Sequence, residues 1–253
     1  MALMHFRLRS ALLLLPLCAL LACGSSGSSA NISAAPTLQT GGYILTISPN
    51  LAGATQLPGA ISAGVGTNTV NAVFIYTNVQ SAACGQQVIN LTGTLNPNSS
   101  VLTLTSSAFV GSTATFTLQL PLITNTSGAT VGSGTAVMAG GSCALASTTL
   151  QAQYIPAFSA TWTGTLGPSA ASFGFVQGTT ANVDGQFPIT ITGSSACTSG
   201  TTLPTLTGLV TGTTIQASTT GISLFASPVD SSLRSLNVTL SCGTNVYSGT
   251  LSH

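Results

Sequence analysis

Short runs in which apolar residues alternate with threonine recur along this chain and constrain its fold more than any other feature. Val101-Leu102-Thr103-Leu104-Thr105 and Thr115-Phe116-Thr117-Leu118-Gln119-Leu120 put every second side chain on one face, the period of a strand with one buried side. Tyr43-Ile44-Leu45-Thr46-Ile47 and Val73-Phe74-Ile75-Tyr76-Thr77 share that texture. Thr, Val and Ile are β-branched and suit a pleated surface, and Thr also offers a hydroxyl to water. Gly, Asn, Pro and Ser punctuate the runs. Outside the apolar stretch that ends at Ala22, no window carries a sustained helical period with caps. The body is expected to be all-β.

What covers such strands is unusual. Only 2% of the 253 residues are Asp, Glu, Lys or Arg, against roughly 25% in ordinary soluble domains. Beyond residue 23 the charged side chains are Arg234, Asp184 and Asp230 alone, so the surface must be Ser, Thr, Asn, Gln and Gly. With 44% hydrophobic residues the chain can bury a core, and it lacks the low hydrophobicity and high charge of disorder. The missing basic patch argues against nucleic acid and acidic lipid surfaces as partners.

The start of the chain gives its destination. Arg7 and Arg9 precede an apolar run from Ala11 to Ala22 that ends in Leu20-Leu21-Ala22-Cys23. A basic start, a short apolar core and small residues at the cut read as a secretory signal peptide over residues 1–22; a membrane span needs ~20 apolar residues. Leu-Leu-Ala-Cys resembles the bacterial lipobox, which implies that Cys23 becomes the mature N-terminus and carries lipid. Residues 23–36 then form the lipidated cysteine and a Ser/Gly-rich tether. The implied localisation is the cell envelope, with the membrane as a partner through the anchor. Gly24 after the cysteine, rather than Asp, favours the outer membrane by resemblance to the enteric sorting rule.

The body repeats itself. Tyr43-Ile44-Leu45-Thr46-Ile47-Ser48-Pro49 aligns with Trp162-Thr163-Gly164-Thr165-Leu166-Gly167-Pro168, an offset of 119 from residue 43 to residue 162. Leu91-Thr92-Gly93 aligns with Leu206-Thr207-Gly208, Cys84 with Cys197, and Cys143 with Cys242, where the offset has fallen to 99. Shorter loops in the second copy would produce that drift. The seam falls near Ile155-Pro156-Ala157, giving domains over 37–156 and 157–253. Cys18 leaves with the signal, so four cysteines remain in an exported, oxidising setting. They allow three pairings, of which Cys84–Cys143 with Cys197–Cys242 is simplest if the copies are real. None sits in a Cys-x-x-Cys pair, and the body has one His, at position 253, so no metal site is expected.

In the second copy, strands are expected near 159–166, 172–177, 181–192 with a break at Asp184-Gly185, 205–210, 213–218, 221–226, 235–241 and 245–251. Short connections favour antiparallel neighbours. Two tandem antiparallel β-domains follow, each a small up-and-down, lipocalin-like barrel in preference to a sandwich. Closure removes exposed edges that this chain has almost no charge to protect. Trp162-Thr163-Gly164-Thr165-Leu166, Val183-Asp184-Gly185-Gln186-Phe187, Cys197, Leu206-Thr207-Gly208, Cys242 and Ser248-Gly249-Thr250-Leu251 together resemble a group of lipoproteins abundant in Acidobacteria. Those carry a WxGxL-type opening strand, repeated "ltG" strands and two cysteines per unit. The resemblance covers residues 157–253 well and 37–156 weakly, since Tyr43 replaces the Trp. It implies small β-barrels and carries over no catalytic residue.

No catalytic constellation stands out. A Ser-His-Asp arrangement would have to use His253, and no Gly-x-Ser-x-Gly elbow, P-loop, dinucleotide fingerprint or calcium loop is present. Paired-carboxylate chemistry would require Asp184 and Asp230 to meet across a cleft. The plainer reading puts Asp184 in a hairpin turn before Gly185, and Asp230 in a loop with a local ion pair to Arg234. Asn-x-Ser/Thr triplets such as Asn90-Leu91-Thr92 arise readily in so Asn/Ser/Thr-rich a chain. Thr-x-Thr pairs lack the strict short repeat of an ice-binding array. A transmembrane barrel would call for aromatic girdles, and aromatics make up 6%. No cofactor is expected. A non-catalytic structural or surface-interaction role is expected, toward glycan, peptidoglycan or a protein. The alternative is a lipocalin-like module holding a small apolar ligand. An enclosed apolar cavity would mark the second, a core filled by its own side chains the first. Tyr43 and Trp162, which open the two copies, are expected to pack or plug their barrels.

Overall fold

The computed structural model describes residues 37–51, 54–63, 68–75, 88–95, 100–108, 113–126, 128–140, 145–195, 197 and 202–253. The signal peptide, Cys23, the tether, Cys84 and Cys143 lie outside the described residues. From Ala35 to His253 the chain forms one compact unit. All described elements are strands: β1 (Gly41–Leu51), β2 (Ala54–Ala63), β3 (Thr69–Ile75), β4 (Val88–Thr94), β5 (Val101–Ser106), β6 (Thr115–Asn125), β7 (Gly128–Val131), β8 (Gly134–Ala139), β9 (Leu145–Ile155), β10 (Ala160–Leu166), β11 (Ser169–Gln177), β12 (Phe187–Ser194), β13 (Thr202–Thr211), β14 (Thr214–Thr219), β15 (Ile222–Pro228), β16 (Ser235–Cys242) and β17 (Asn245–Ser252).

They close into two up-and-down barrels of antiparallel strands. In the second, β10 to β17 pair in sequence order and β10 also pairs β17. In the first, β1-β2-β3-β4-β5-β6-β8-β9 form the ring, shut by the β5–β6 and β1–β9 pairings. The extra strand β7 hangs from β6 as a hairpin, and Leu38 bridges to Ala129 on it. The closed barrel favoured over a sandwich is the architecture observed.

Alternation accounts for the strands. In β16, Leu236, Val238 and Leu240 are buried while Asn237 is exposed and Thr239 half-buried; in β5, Leu102 and Leu104 face in while Thr103 and Thr105 face out. Each fully buried Leu, Ile, Val or Phe contributes ~1.5–3 kcal/mol relative to exposure, and each barrel has its own apolar cluster. This arrangement, apolar inside and hydroxylated outside, is the inverse of a lipid-facing barrel wall.

Closure around so small a circumference needs sharp coiling, and glycine supplies it. Gly93 on β4 and Gly208 on β13 are the glycines of the two Leu-Thr-Gly motifs. A Cβ at Gly93 would overlap the Thr103 carbonyl oxygen of β5, and one at Gly208 the Gln216 carbonyl oxygen of β14. The motif therefore marks the fourth strand of each barrel, where the backbone of the fifth comes too close for a side chain.

One expected strand is shorter than the sequence suggested. Residues 181–186 are not paired, and β12 begins at Phe187. Asn182 is the cause: its side-chain oxygen accepts from the backbone N–H of Asp184 and of Gln186, both at 3.0 Å, and Gly185 turns at φ +71°. A local Asx-type turn competes successfully with the sheet ladder there.

The barrels also touch. Ile44, Ala60 and Ile155 of the first pack with the core cluster of the second, and Gly212, in the β13–β14 turn, sits against Pro58 and Ile44.

Candidate functional site

Both barrel interiors are occupied by their own side chains. Tyr43, Phe74 and Phe116 are fully buried in the first, and Trp162, Phe173 and Phe175 in the second. The opening aromatics share one role. Tyr43 lies directly across the β1–β9 seam from Tyr154, rings edge-on at 5.4 Å. The β10–β17 register, Thr163 opposite Ser252, carries Trp162 to the same place opposite His253, rings edge-on at 4.3 Å. In the first barrel an aromatic on the first strand and a ring on the last close the seam; in the second the closing ring, His253, directly follows the last strand. Each also buries a polar atom without a hydrogen-bond partner: the Tyr43 hydroxyl and the Trp162 indole N–H. Burial pushes the Tyr43 pKa well above its ordinary value; the Val131 backbone lies close enough to pull the other way. Tyr154 is also raised by burial.

The surroundings of the two seams differ. The first barrel has β7 and Leu38 near Tyr43. At the corresponding step the second has the β15–β16 loop, residues 229–234, and beside Trp162 a cavity of about 210 Å3 remains. Its walls include Phe158, Ser159, Trp162, Ser232, Arg234 and His253. Phe158 and Phe175 tilt against Trp162 at 6.5 and 5.9 Å. Gln177, itself buried, pins the approach: its side chain accepts from the Phe158 N–H at 2.9 Å, while its own N–H donates to Ser159 Oγ at 3.1 Å. The loop is held by Asp230, whose carboxylate accepts from the Ser232 N–H at 2.8 Å. The Ser232 side-chain hydroxyl, and after it this backbone bond, hold the Asp230 carboxyl below the usual carboxylate range. Leu233 follows in the left-handed region at φ +57°, buried in the mouth of the barrel. Its burial offsets a backbone state that costs a non-glycine residue of order 1–3 kcal/mol.

A second concavity, about 480 Å3, lies on the outer wall across β13–β16. The strand registers set Leu209, Gln216, Phe225 and Thr239 side by side in one row, with Thr207, Ser218, Ser223 and Ser241 in the next. Inward, between these rows, stand Gly208 and Ala217, opposite each other. Two small residues let the wall move toward the barrel axis, which leaves the dent outside. Phe225 is 45% exposed and Leu209 37%. Gln186 closes one edge, donating to Thr211 Oγ1 at 3.0 Å. Every lining residue is uncharged.

The sequence-derived candidates fall as follows. Cys197 and Cys242 are joined by a disulfide, Cα atoms 5.8 Å apart. It ties the β12–β13 loop to the end of β16, at the barrel end opposite Trp162. Cys23, Cys84 and Cys143 lie outside the described residues. Asp184 sits in the Asn182 turn. Asp230 bonds the Ser232 backbone rather than forming the expected ion pair with Arg234. Neither aspartate lines either concavity. No group of three His, Cys, Asp or Glu able to hold a metal occurs among the described residues.

The sequence reading missed the outer groove and the mouth cavity. For the groove a signal existed: in Leu224-Phe225-Ala226 the flanking residues are inward, so the aromatic occupies a solvent-side position. For the cavity none did, because Arg234 and Trp162 meet only when the barrel closes. No family model, curated protein or solved structure matches this chain.

Proposed function

We propose that this is an exported, lipid-anchored, non-catalytic protein of the cell envelope, most readily of the outer membrane, that works through surface contact. Its contact site is the outer groove of the second barrel, and its partner is an uncharged glycan. One observation carries this reading: an aromatic, an aliphatic and an amide side chain, Phe225, Leu209 and Gln216, stand in one row flanked by hydroxyls, with no charge in the lining. Sugar rings present apolar C–H faces and a hydroxyl rim, which an exposed aromatic and hydroxyl or amide partners match. Strands about 4.8 Å apart repeat that offer along the row. The occupied interiors count against carriage of a lipid-sized ligand within a barrel.

Anchoring and contact are tested separately. Cys23→Ser should release the protein from membranes, and continued membrane association would overturn the anchor. The mature protein should co-sediment with an insoluble neutral polysaccharide. Binding should survive high salt, since screening acts only on charge, and should weaken about tenfold or more in Phe225→Ala, a change of roughly 1.4 kcal/mol. No co-sedimentation, or binding indifferent to Phe225, would sink the proposal.

A further inference from the structure

We propose that the outer groove grips an interior stretch of a linear, extended, neutral polysaccharide, laid across the strands from β13 to β16 with about one sugar ring per strand. This deepens the glycan reading of the same groove and rests on it.

Three observations converge. First, the groove is a trough with a direction. Its floor is the inward row of Gly208, Ala217 and Leu224, register partners on β13, β14 and β15. The outward rows on either side, from Leu209 to Thr239 and from Thr207 to Ser241, are its walls, so its length runs across the strands. Second, the walls differ. One carries the longer side chains Leu209, Gln216 and Phe225, and the other is built of Ser and Thr alone. A chain between them turns the C–H faces of its rings to the first wall and its hydroxyls to the second. Third, both rows run on past the trough. Pro188 and Thr190 on β12 continue them on one side, and Ser248 and Val246 on β17 on the other. All four are exposed. A polymer enters over one side and leaves over the other, so neither of its ends takes part.

Spacing sets the conformation of the chain. Neighbouring strands are about 4.8 Å apart, so the trough from β13 to β16 spans about 14 Å. An extended β-1,4-linked pyranose chain advances by about one such spacing per ring, which sets about four rings over these strands. A wound α-1,4 chain of the same sugar turns successive ring faces away from the wall and loses the match.

The mature full-length protein, in a non-ionic detergent without a sugar headgroup, would be titrated by calorimetry with cello-oligosaccharides of two to six rings. Maltohexaose is the wound chain of the same sugar. Affinity should rise about tenfold or more from two rings to four, and by no more than about threefold from four to six, the gain that extra registers alone supply. Cellohexaose should bind about tenfold or more tightly than maltohexaose, and reduction of its terminal ring to the open alditol should leave its binding unchanged. Leu209→Ala and Thr239→Ala, at the two ends of one wall, should each weaken cellohexaose about threefold or more with unchanged circular dichroism; a chain lying along the strands would depend on only one of them. Equal binding of cellobiose and cellohexaose, equal binding of cellohexaose and maltohexaose, dependence on the terminal ring, or indifference to either end residue would overturn the proposal and leave glycan contact standing. Failure of every oligosaccharide while the insoluble polymer still co-sediments would do the same. Failure of the polymer as well would sink the glycan reading itself.

Discussion

Replacing Cys197 and Cys242 together by serine should sharply destabilise the second barrel while the first keeps its own midpoint. The two residues are 45 apart in sequence. In the chain-entropy account, closing a loop of that length removes ~13 cal/mol/K from the unfolded chain, which is ~4 kcal/mol at 25 °C. The bond does not simply duplicate a hairpin: β14 and β15 lie between the strands it ties, so it spans the barrel end rather than reinforcing a neighbouring pair. For a domain of this size ~4 kcal/mol corresponds to a fall in Tm of roughly 20 °C. It is also a large share of the ~5–15 kcal/mol that holds a typical domain together. Trp162 reports this barrel alone, so urea unfolding followed by tryptophan emission isolates its transition, while far-ultraviolet circular dichroism follows both. The emission midpoint should fall steeply, and the part of the dichroism signal due to the first barrel should keep its midpoint. A double variant whose emission midpoint moves by less than about 1 kcal/mol equivalent would refute the reasoning. Non-reducing peptide mapping should also find no disulfide joining the two halves.

Tyr43→Phe should stabilise the first barrel by about 1 kcal/mol, since it removes a buried hydroxyl without a partner; chemical denaturation of the variant checks this, and clear destabilisation would show that the hydroxyl is satisfied. The same group sets an alkaline limit: its folded pKa is raised above 10.0, so its contribution is whole below pH 10 and is lost as pH rises toward the folded value. Tyr43→Phe should flatten that decline. Gly208→Ala should destabilise the second barrel by about 1–3 kcal/mol, because the new methyl meets the Gln216 backbone rather than a side chain that can turn away; an unchanged midpoint would count against a tight β13–β14 approach. Asp230 has its pKa lowered below 3.8 by Ser232, so its support of the β15–β16 loop is present above that pH and disappears as pH falls through the lowered value. Amide protection in residues 229–234, referred to the intrinsic exchange rate at each pH, should fall at low pH in the native protein, and already at neutral pH in Asp230→Ala.

Two tandem barrels were legible in the sequence because the opening aromatics and the Leu-Thr-Gly motifs have structural counterparts among the described residues. The offset of 99 that aligns Cys143 with Cys242 also aligns Tyr154 with His253, and these are the two residues that face Tyr43 and Trp162 across the closing seams. The Leu-Thr-Gly motifs fall on the fourth strand of each barrel, where close backbone approach excludes a side chain. Closure itself was legible through short hairpins and uncharged edges. Less could be read where a local choice overrode the strand pattern, as at Asn182, whose side chain captures two backbone N–H groups. The contact between barrels was hidden because Ile44 and Ala60 are apolar residues on the outward parity of their strands. The outer groove depends on Gly208 and Ala217 meeting across two strands, a coincidence of register rather than of composition. The mouth cavity depends on β7 having no counterpart in the second copy.

The most direct test of the account is chemical-shift mapping of the mature protein with a soluble, uncharged oligosaccharide of the co-sedimenting polymer. The account predicts perturbations centred on Leu209, Gln216, Phe225 and Thr239, with the interior residues Phe173, Leu224 and Val238 unmoved. Perturbations concentrated on those interior residues, with the outer row silent, would make the barrel a container and contradict the claim that it works through its outer wall.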